Sequence, residues 1–151
     1  YLDNEPTGRV STEALYEERY MLVCRSDSEF AGRAEVRWRD LNGQKLCLLT
    51  PDMQNRRIIN KNFEMAGVVP EATVESNSTV VLVANVLEGD FLTVLPADMA
   101  RFLAGGKPVE IIPLSGAGKG HSVGLVAPWR EPHTPVLEAL LAEARRMSEV
   151  R

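Results

Sequence analysis

The chain has 151 residues, a length that can bury a core of ordinary size and favours one domain. Hydrophobic residues make up 44% and charged residues 25%, as in average globular proteins, and no apolar stretch approaches the roughly 18 residues needed to cross a bilayer. A net charge of −4 and a pI near 5.3, with no basic run longer than Arg56-Arg57 or Arg145-Arg146, argue against a nucleic-acid surface built on clustered cations.

The chain opens on Tyr-Leu-Asp, with no basic region followed by an apolar run. No signal peptide is therefore expected, and the sequence reads as a piece of something longer. Residues 1–13 are polar and turn-rich, with Pro6 and Gly8. LYEERYMLVCR (15–25) is rich in aromatic and apolar residues and predicts one long strand or two short ones. SDSEFAGRAEV reads as a loop, and RWRDLNG as a short helical turn ended by Gly43. KLCLL (45–49) is a nearly unbroken apolar run, the pattern of a strand buried on both faces. Cys24 and Cys47 sit inside these strand-like runs without Cys-x-x-Cys spacing. They are expected to be buried small hydrophobes in a reducing, cytoplasmic compartment.

After Asn55, Ile58, Ile59, Phe63 and Ala66 recur at helical spacing, and Gly67 supplies a left-handed stop. ATVE (72–75) predicts a short strand, and SNST then offers Ser76, Asn77 and Ser78 as helix caps. The run from Thr79 to Leu87 is so rich in Val that a strand is the alternative. Its length, the caps before it and Gly89 after it favour a helix. FLTVLP (91–96) is a strand, ADMARFLAGG a short helix, and VEIIPL and HSVGLVAPW two further strands around a flexible SGAGKG. In the last helix Thr134 is the cap and Pro135 the first residue, with Val136, Leu137, Leu140, Leu141 and Ala144 on one face. Arg145 and Arg146 lie where the helix dipole favours cations. The alternation of strands and helices implies an α/β fold with a parallel sheet and right-handed crossovers.

In such a sheet ligands lie beyond the carboxyl ends of the strands, where helices begin. TPDMQN follows the strand at 45–49 and SNST the strand at 72–75. If the two strands are neighbours, both helix starts converge on one crevice suited to a carboxylate or similar anion. Gln54, Asn55, Asn77, Ser78 and Thr79 would add neutral hydrogen bonds there, and Arg56 or Arg57 charge. Taken singly, Thr50-Pro51-Asp52 is an ordinary cap-Pro-acid helix start, and Arg56 and Arg57 belong to a solvated helix face. Other motifs fail. GAGKG lacks the earlier Gly of a phosphate loop, since residue 113 is Pro, and Gly120 follows Lys119 where Ser or Thr is required. His121 and His133 have no metal-ligand spacing, no Gly-x-Ser-x-Gly elbow exists, and no pair of carboxylates is set for acid–base work, so neither metal, cofactor nor catalytic residue is expected.

DLNGQKLCLLT, then NFEMAGVVPEATVESNSTVVLVANVLEGDFLTVLP, then HSVGLVAPWREPHTPVLEALLAEA resemble, in this order and spacing, the effector-binding domain of LysR-type transcriptional regulators. The resemblance covers nearly the whole chain and implies a fold like type 2 periplasmic binding proteins, with two α/β lobes joined by crossover strands and the effector in the cleft. On that reading residues 25–117 form a complete second lobe, while 1–24 and 118–151 are the returning part of the first. The family's N-terminal winged helix-turn-helix, through which DNA would be bound, lies outside this chain, and the full-length protein would be a homo-oligomer with no membrane contact.

Thr50, Met53, Gln54 and Asn55 would line the second-lobe wall of the cleft, with Asn77, Ser78 and Thr79 near it. Counting back from FEMAG, Gln54 falls where some relatives carry an effector-contacting Thr and peroxide sensors their reactive Cys. The chain is therefore expected to sense a small, anionic metabolite rather than peroxide. One departure is Gly89-Asp90-Phe91, where the family often has Gly-x-Gly. The competing expectation is an α/β enzyme or a transport-type solute-binding protein that uses the same cleft.

Overall fold

YMLVCR shows how the larger part of the chain is built. The computed structural model describes residues 1–2, 8–118, 120–130 and 132–149, so Pro6 of the turn-rich start and Lys119 of the glycine-rich segment lie outside the described residues. Tyr20–Arg25 is a strand (β2), and its side chains alternate between the two faces of a sheet. Met21 and Val23 enter one apolar cluster with Cys47, Leu49, Leu82, Val83, Val86, Leu95, Ala97 and Ala100. Tyr20 points to the other face, its ring 6.5 Å from that of Trp38, which meets Phe63 edge-on at 5.0 Å.

Among the described residues eight strands and four helices follow in chain order. They are β1 (Val10–Glu18), β2, β3 (Val36–Arg37), β4 (Leu46–Leu49), α1 (Gln54–Met65), β5 (Ala72–Ser76), α2 (Thr79–Glu88), β6 (Thr93–Pro96), α3 (Ala97–Ala104), β7 (Val109–Ser115), β8 (His121–Pro128) and α4 (Pro135–Glu149). A 3₁₀ turn occupies Trp38–Leu41, the helical turn expected before Gly43. The chain divides into two compact units, one of residues 1–18 and 120–151, the other of residues 19–119. β2 is an inner strand of the second unit's sheet, between β7 and β6.

In that second unit β3, β7, β2 and β6 are hydrogen-bonded in this order, and β4 pairs with β5. Leu92, just before β6, joins the two sets: Cys47 N–H donates to Leu92 O and Leu92 N–H to Lys45 O, both at 2.9 Å. The order across the unit is thus β5-β4-β6-β2-β7-β3. β4 and β5 are parallel, as expected, and β4 meets the β6 strand in a parallel bridge. β2 departs from the all-parallel sheet, running antiparallel to both β6 and β7. It brings the chain into the unit and has no helical crossover from a preceding neighbour, so the handedness that orients βαβ strands does not constrain it.

Local choices follow from the residues. The Val-rich run from Thr79 is a helix, because Leu82, Val83 and Val86 share one buried face. Gly89 ends it where a Cβ would come within 2.7 Å of the Phe91 ring and 3.0 Å of Asn85 O. The large residue at 91 is thus accommodated by the glycine beside it. α1 stops at Gly67 (φ 72°), with Gly67 N–H bonded to Glu64 O and Val68 N–H to Phe63 O, both 2.9 Å, a Schellman motif.

In the first unit β1 and β8 are antiparallel partners, with an irregularity of β1 between Ala14 and Tyr16, next to Gly124. The two-strand reading of 15–25 is the correct one, with Arg19 separating β1 from β2. Thr134 Oγ1 accepts from Leu137 N–H (3.4 Å) and Thr134 O from Glu138 N–H (3.0 Å), so α4 begins as its cap and Pro135 predict. Of its apolar face Leu141 is buried, whereas Val136 and Leu140 are exposed. Arg145 near its end pairs with Glu13 of β1 at 2.6 Å.

Candidate functional site

The site is set by where two parallel strands stop. Leu49, the last residue of β4, is the register partner of Ser76, the last of β5. Thr50 N–H then donates to Ser76 O at 3.2 Å. The two joints therefore leave the sheet side by side, about one strand spacing of ~4.8 Å apart. The convergence expected of TPDMQN and SNST is present, and α1 and α2 start from the same edge.

The details of those starts differ from expectation. Thr50-Pro51-Asp52 does not cap α1. Thr50 O accepts from Met53 N–H (3.1 Å), closing a tight turn with Pro51 at its first corner, and the helix begins only at Gln54. Met53 occupies the cap position, has no side-chain oxygen to give, and packs against the cluster under α2 and α3. Ser78 is the cap residue of α2, but its side chain makes no cap hydrogen bond. Ser76 acts instead on the turn, its Oγ accepting from Ser78 N–H at 3.1 Å.

Both helix starts thus lack a side-chain cap among the described residues. Position explains part of this: Thr50 lies a full turn before Gln54, and the Ser76 hydroxyl is committed to Ser78 N–H before α2 begins.

Thr50 carries the most telling atom. Its Oγ1 is the buried side-chain polar atom without a hydrogen-bond partner among the described residues. A buried hydroxyl left without a partner costs free energy, so such an atom calls for an explanation. Gln54 and Asn55 are half-buried in the first turn of α1, and Asn55 Oδ1 accepts from the Tyr20 hydroxyl at 3.1 Å. Asn77 is exposed and Thr79 half-buried, its hydroxyl 4.0 Å from Met99 Sδ of α3. All seven candidate residues lie in one compact unit and along one edge of its sheet.

Arg56 is not on a solvated face. It is 6% exposed, and its guanidinium donates to Leu49 O, to Glu75 Oε1 (2.7 Å) and to Asn60 Oδ1 (2.8 Å). It clamps the carboxyl ends of β4 and β5 together from beneath, and its charge is met by Glu75. Arg57 is exposed and reaches back to Asp52 O at 3.3 Å. An anion at this edge would therefore be held by neutral donors and helix starts rather than by Arg56. An open groove of about 550 Å³ lies along α1 beside Arg56, Asn60, Glu64, Val68 and Val69, and none of the seven candidates lines it.

Tyr20 was not among the residues singled out from the sequence, and Arg56 was expected to be solvated. Tyr20 reaches Asn55 only because β2 sits beside β6, a pairing that no local pattern announces. Arg56 is buried by a partner 19 residues away, and its one sequence signal is Asn60 a helical turn later. The thiols are buried as expected. Burial pushes Cys47 up to about 11 and also raises Cys24, which leaves both protonated at neutral pH.

In open α/β sheets ligands are met beyond the carboxyl ends of the strands, which is where this polar edge lies. The family model for the LysR substrate binding domain matches residues 1–149, and the chain belongs to that family. Its fold is accordingly the α/β, type 2 periplasmic-binding-protein-like one. Over 110 residues, 73% of this chain, it is 29% identical to YfeR of Shigella flexneri, an uncharacterized HTH-type transcriptional regulator. The chain spans 35% of that relative's length. Among solved structures it resembles HinK, a LysR family transcriptional regulator from Pseudomonas aeruginosa, with a TM-score of 0.75 at 21% identity, covering 98% of this chain and 50% of that one. It is also similar to the effector-binding domain of QuiR in complex with shikimate, with a TM-score of 0.76 at 14% identity, covering 100% of this chain and 70% of that one. No helix among the described residues is long and apolar enough to cross a membrane.

Proposed function

We propose that this chain is the ligand-sensing part of a cytoplasmic LysR-type transcriptional regulator and binds a small anionic metabolite at the edge formed by residues 50–55 and 76–79. The observation that carries the reading is the pairing of Leu49 with Ser76, which brings two helix starts without side-chain caps and the buried, unpartnered Thr50 hydroxyl to one sheet edge. Thr50, Gln54, Asn55, Asn77, Ser78 and Thr79 supply the polar contacts, and Met53 supports the turn from below. The shikimate bound by QuiR, a hydroxylated carboxylic acid, supports the choice of ligand class.

In the full-length protein a DNA-binding segment outside this chain would make the contact with the operator, in a homo-oligomer. The metabolite would act by binding one conformation more tightly than another, since equal affinity for both shifts nothing. No catalytic step is assigned. The test is a thermal-shift screen of the full-length protein against shikimate, benzoate and succinate, each beside its primary amide. An effector at 100 times its dissociation constant stabilises the fold by about 2.7 kcal/mol. Stabilisation by acids and not by amides is expected, and stabilisation by the amides alone would contradict the reading.

A further inference from the structure

One guanidinium ties together the three elements that meet at the β4–β5 edge. Arg56 stands in the first turn of α1 and is 6% exposed. Its Nη1 donates to Leu49 O, the last carbonyl of β4, and to Glu75 Oε1 of β5 at 2.7 Å. Its Nε donates to Asn60 Oδ1, one turn further along α1, at 2.8 Å. A guanidinium is planar, so the bond to Asn60 also sets the direction in which Nη1 points.

Leu49 O belongs to the peptide that opens the TPDMQN joint. The amide of that same peptide, Thr50 N–H, donates to Ser76 O at 3.2 Å. The Leu49–Thr50 peptide is thus tied to α1 at one end and to the last residue of β5 at the other. The following peptide has no N–H, because Pro51 supplies its nitrogen, and its carbonyl, Thr50 O, accepts from Met53 N–H at 3.1 Å. Both peptides flanking Thr50 are therefore held, and Arg56 makes the one tie that comes from a side chain.

The geometry points to Arg56 as a positioning residue of the effector edge: by holding Leu49 O and Glu75 on one guanidinium it fixes the joints 50–55 and 76–79 at the spacing that the ligand meets. This rests on the proposed function and goes beyond it by assigning the arrangement of the edge to a buried side chain. Its contribution is geometric, since Glu75 already meets its charge. A ligand binds more tightly to donors already in place, because ordering them on binding costs free energy.

The experiment measures dissociation constants of the full-length protein for shikimate, benzoate and succinate, at a temperature where every variant is folded by circular dichroism. Hydrogen exchange of the segment carrying Thr50 is followed in parallel by mass spectrometry. Arg56→Lys keeps the charge and loses the fork. It is expected to weaken the acids that bind wild type by about tenfold, the scale of one hydrogen bond, and to speed exchange at Thr50. Asn60→Ala removes only the bond that aims the guanidinium, and should weaken them about two- to threefold. It carries the test if Arg56→Lys does not fold. Val36→Ala, in β3 at the opposite end of the sheet order, is the stability control and should bind as wild type does. Glu75→Gln keeps an acceptor for Nη1 and should also bind as wild type does.

A purely structural role would make Arg56→Lys behave as Val36→Ala does, less stable with its dissociation constants unmoved. That result, or weakened binding with exchange at Thr50 unchanged, would overturn the inference while acid binding by wild type upheld the functional reading. Tighter acid binding by Glu75→Gln would show that Arg56 acts by charge, and would overturn it equally. If no acid binds wild type, the functional reading falls and this inference falls with it.

Discussion

Replacing Thr50 by Val separates stability from binding. The side chains have nearly the same shape, and the exchange removes only the hydroxyl. In the unliganded protein Oγ1 is buried with no partner among the described residues, so its desolvation is uncompensated. Such a group costs about 1–3 kcal/mol, and removing it should return the lower part of that range, about 1 kcal/mol. For a domain of this size that corresponds to a rise in melting temperature of about 2–4 °C. The sign is unusual, since most substitutions at half-buried positions destabilise. If Thr50 is a ligand contact, the same variant loses the stabilisation that an effector brings. Calorimetry of wild type and Thr50→Val, with and without the acid that stabilises wild type best, reads both terms. A fall in the unliganded melting temperature would show that the hydroxyl already has a partner in the resting protein. Retained stabilisation by the acid would show that it does not meet the ligand. Either result would refute the reasoning.

Arg56→Met should cost about 2–3 kcal/mol in urea denaturation, because it leaves the Leu49 carbonyl and the Glu75 carboxylate without their donor. Glu75→Gln, which keeps an acceptor on a side chain that is 40% exposed, should cost less than about 1 kcal/mol. Burial raises the Cys47 thiol from its ordinary 9.0 to about 11. The folded state therefore binds more protons than the unfolded state between these values. Its contribution to stability is full below pH 9 and is lost as the pH rises through 11, which a pH series of urea midpoints would show. Iodoacetamide should accordingly label Cys24 and Cys47 slowly in the native protein at pH 8 and rapidly in urea, and equal rates would contradict their burial.

Elements with a strong local signature were legible in the sequence. Leu46–Leu49 is buried at every residue and reads as an unbroken apolar run; Thr134-Pro135 and Gly67 fix helix ends by chemistry within a few residues. What escaped was decided by partners distant in sequence. The direction of β2 depends on β6 and β7, which come some 70 to 90 residues later along the chain, and the periodicity of YMLVCR is the same whichever way its neighbours run. Arg56 resembles a surface cation until Glu75 and the Leu49 carbonyl are brought to it. Thr50-Pro51-Asp52 has the composition of a helix start and serves as a turn, because the same residues satisfy both and the length of the joint decides between them. For the site, the two joints and their adjacency could be anticipated from the strand order, whereas Tyr20 beneath Asn55 and the unpartnered Thr50 oxygen could not.

The central claim is that the effector is held where β4 and β5 end. Amide NMR of this chain, titrated with the acid that most stabilises the full-length protein, tests it most directly. The account predicts saturable shifts concentrated at Thr50, Gln54, Asn55, Asn77, Ser78 and Thr79, with the Asn55 side-chain amide among them. Shifts confined to the groove beside Asn60, Glu64, Val68 and Val69, with residues 50–55 and 76–79 unmoved, would contradict it.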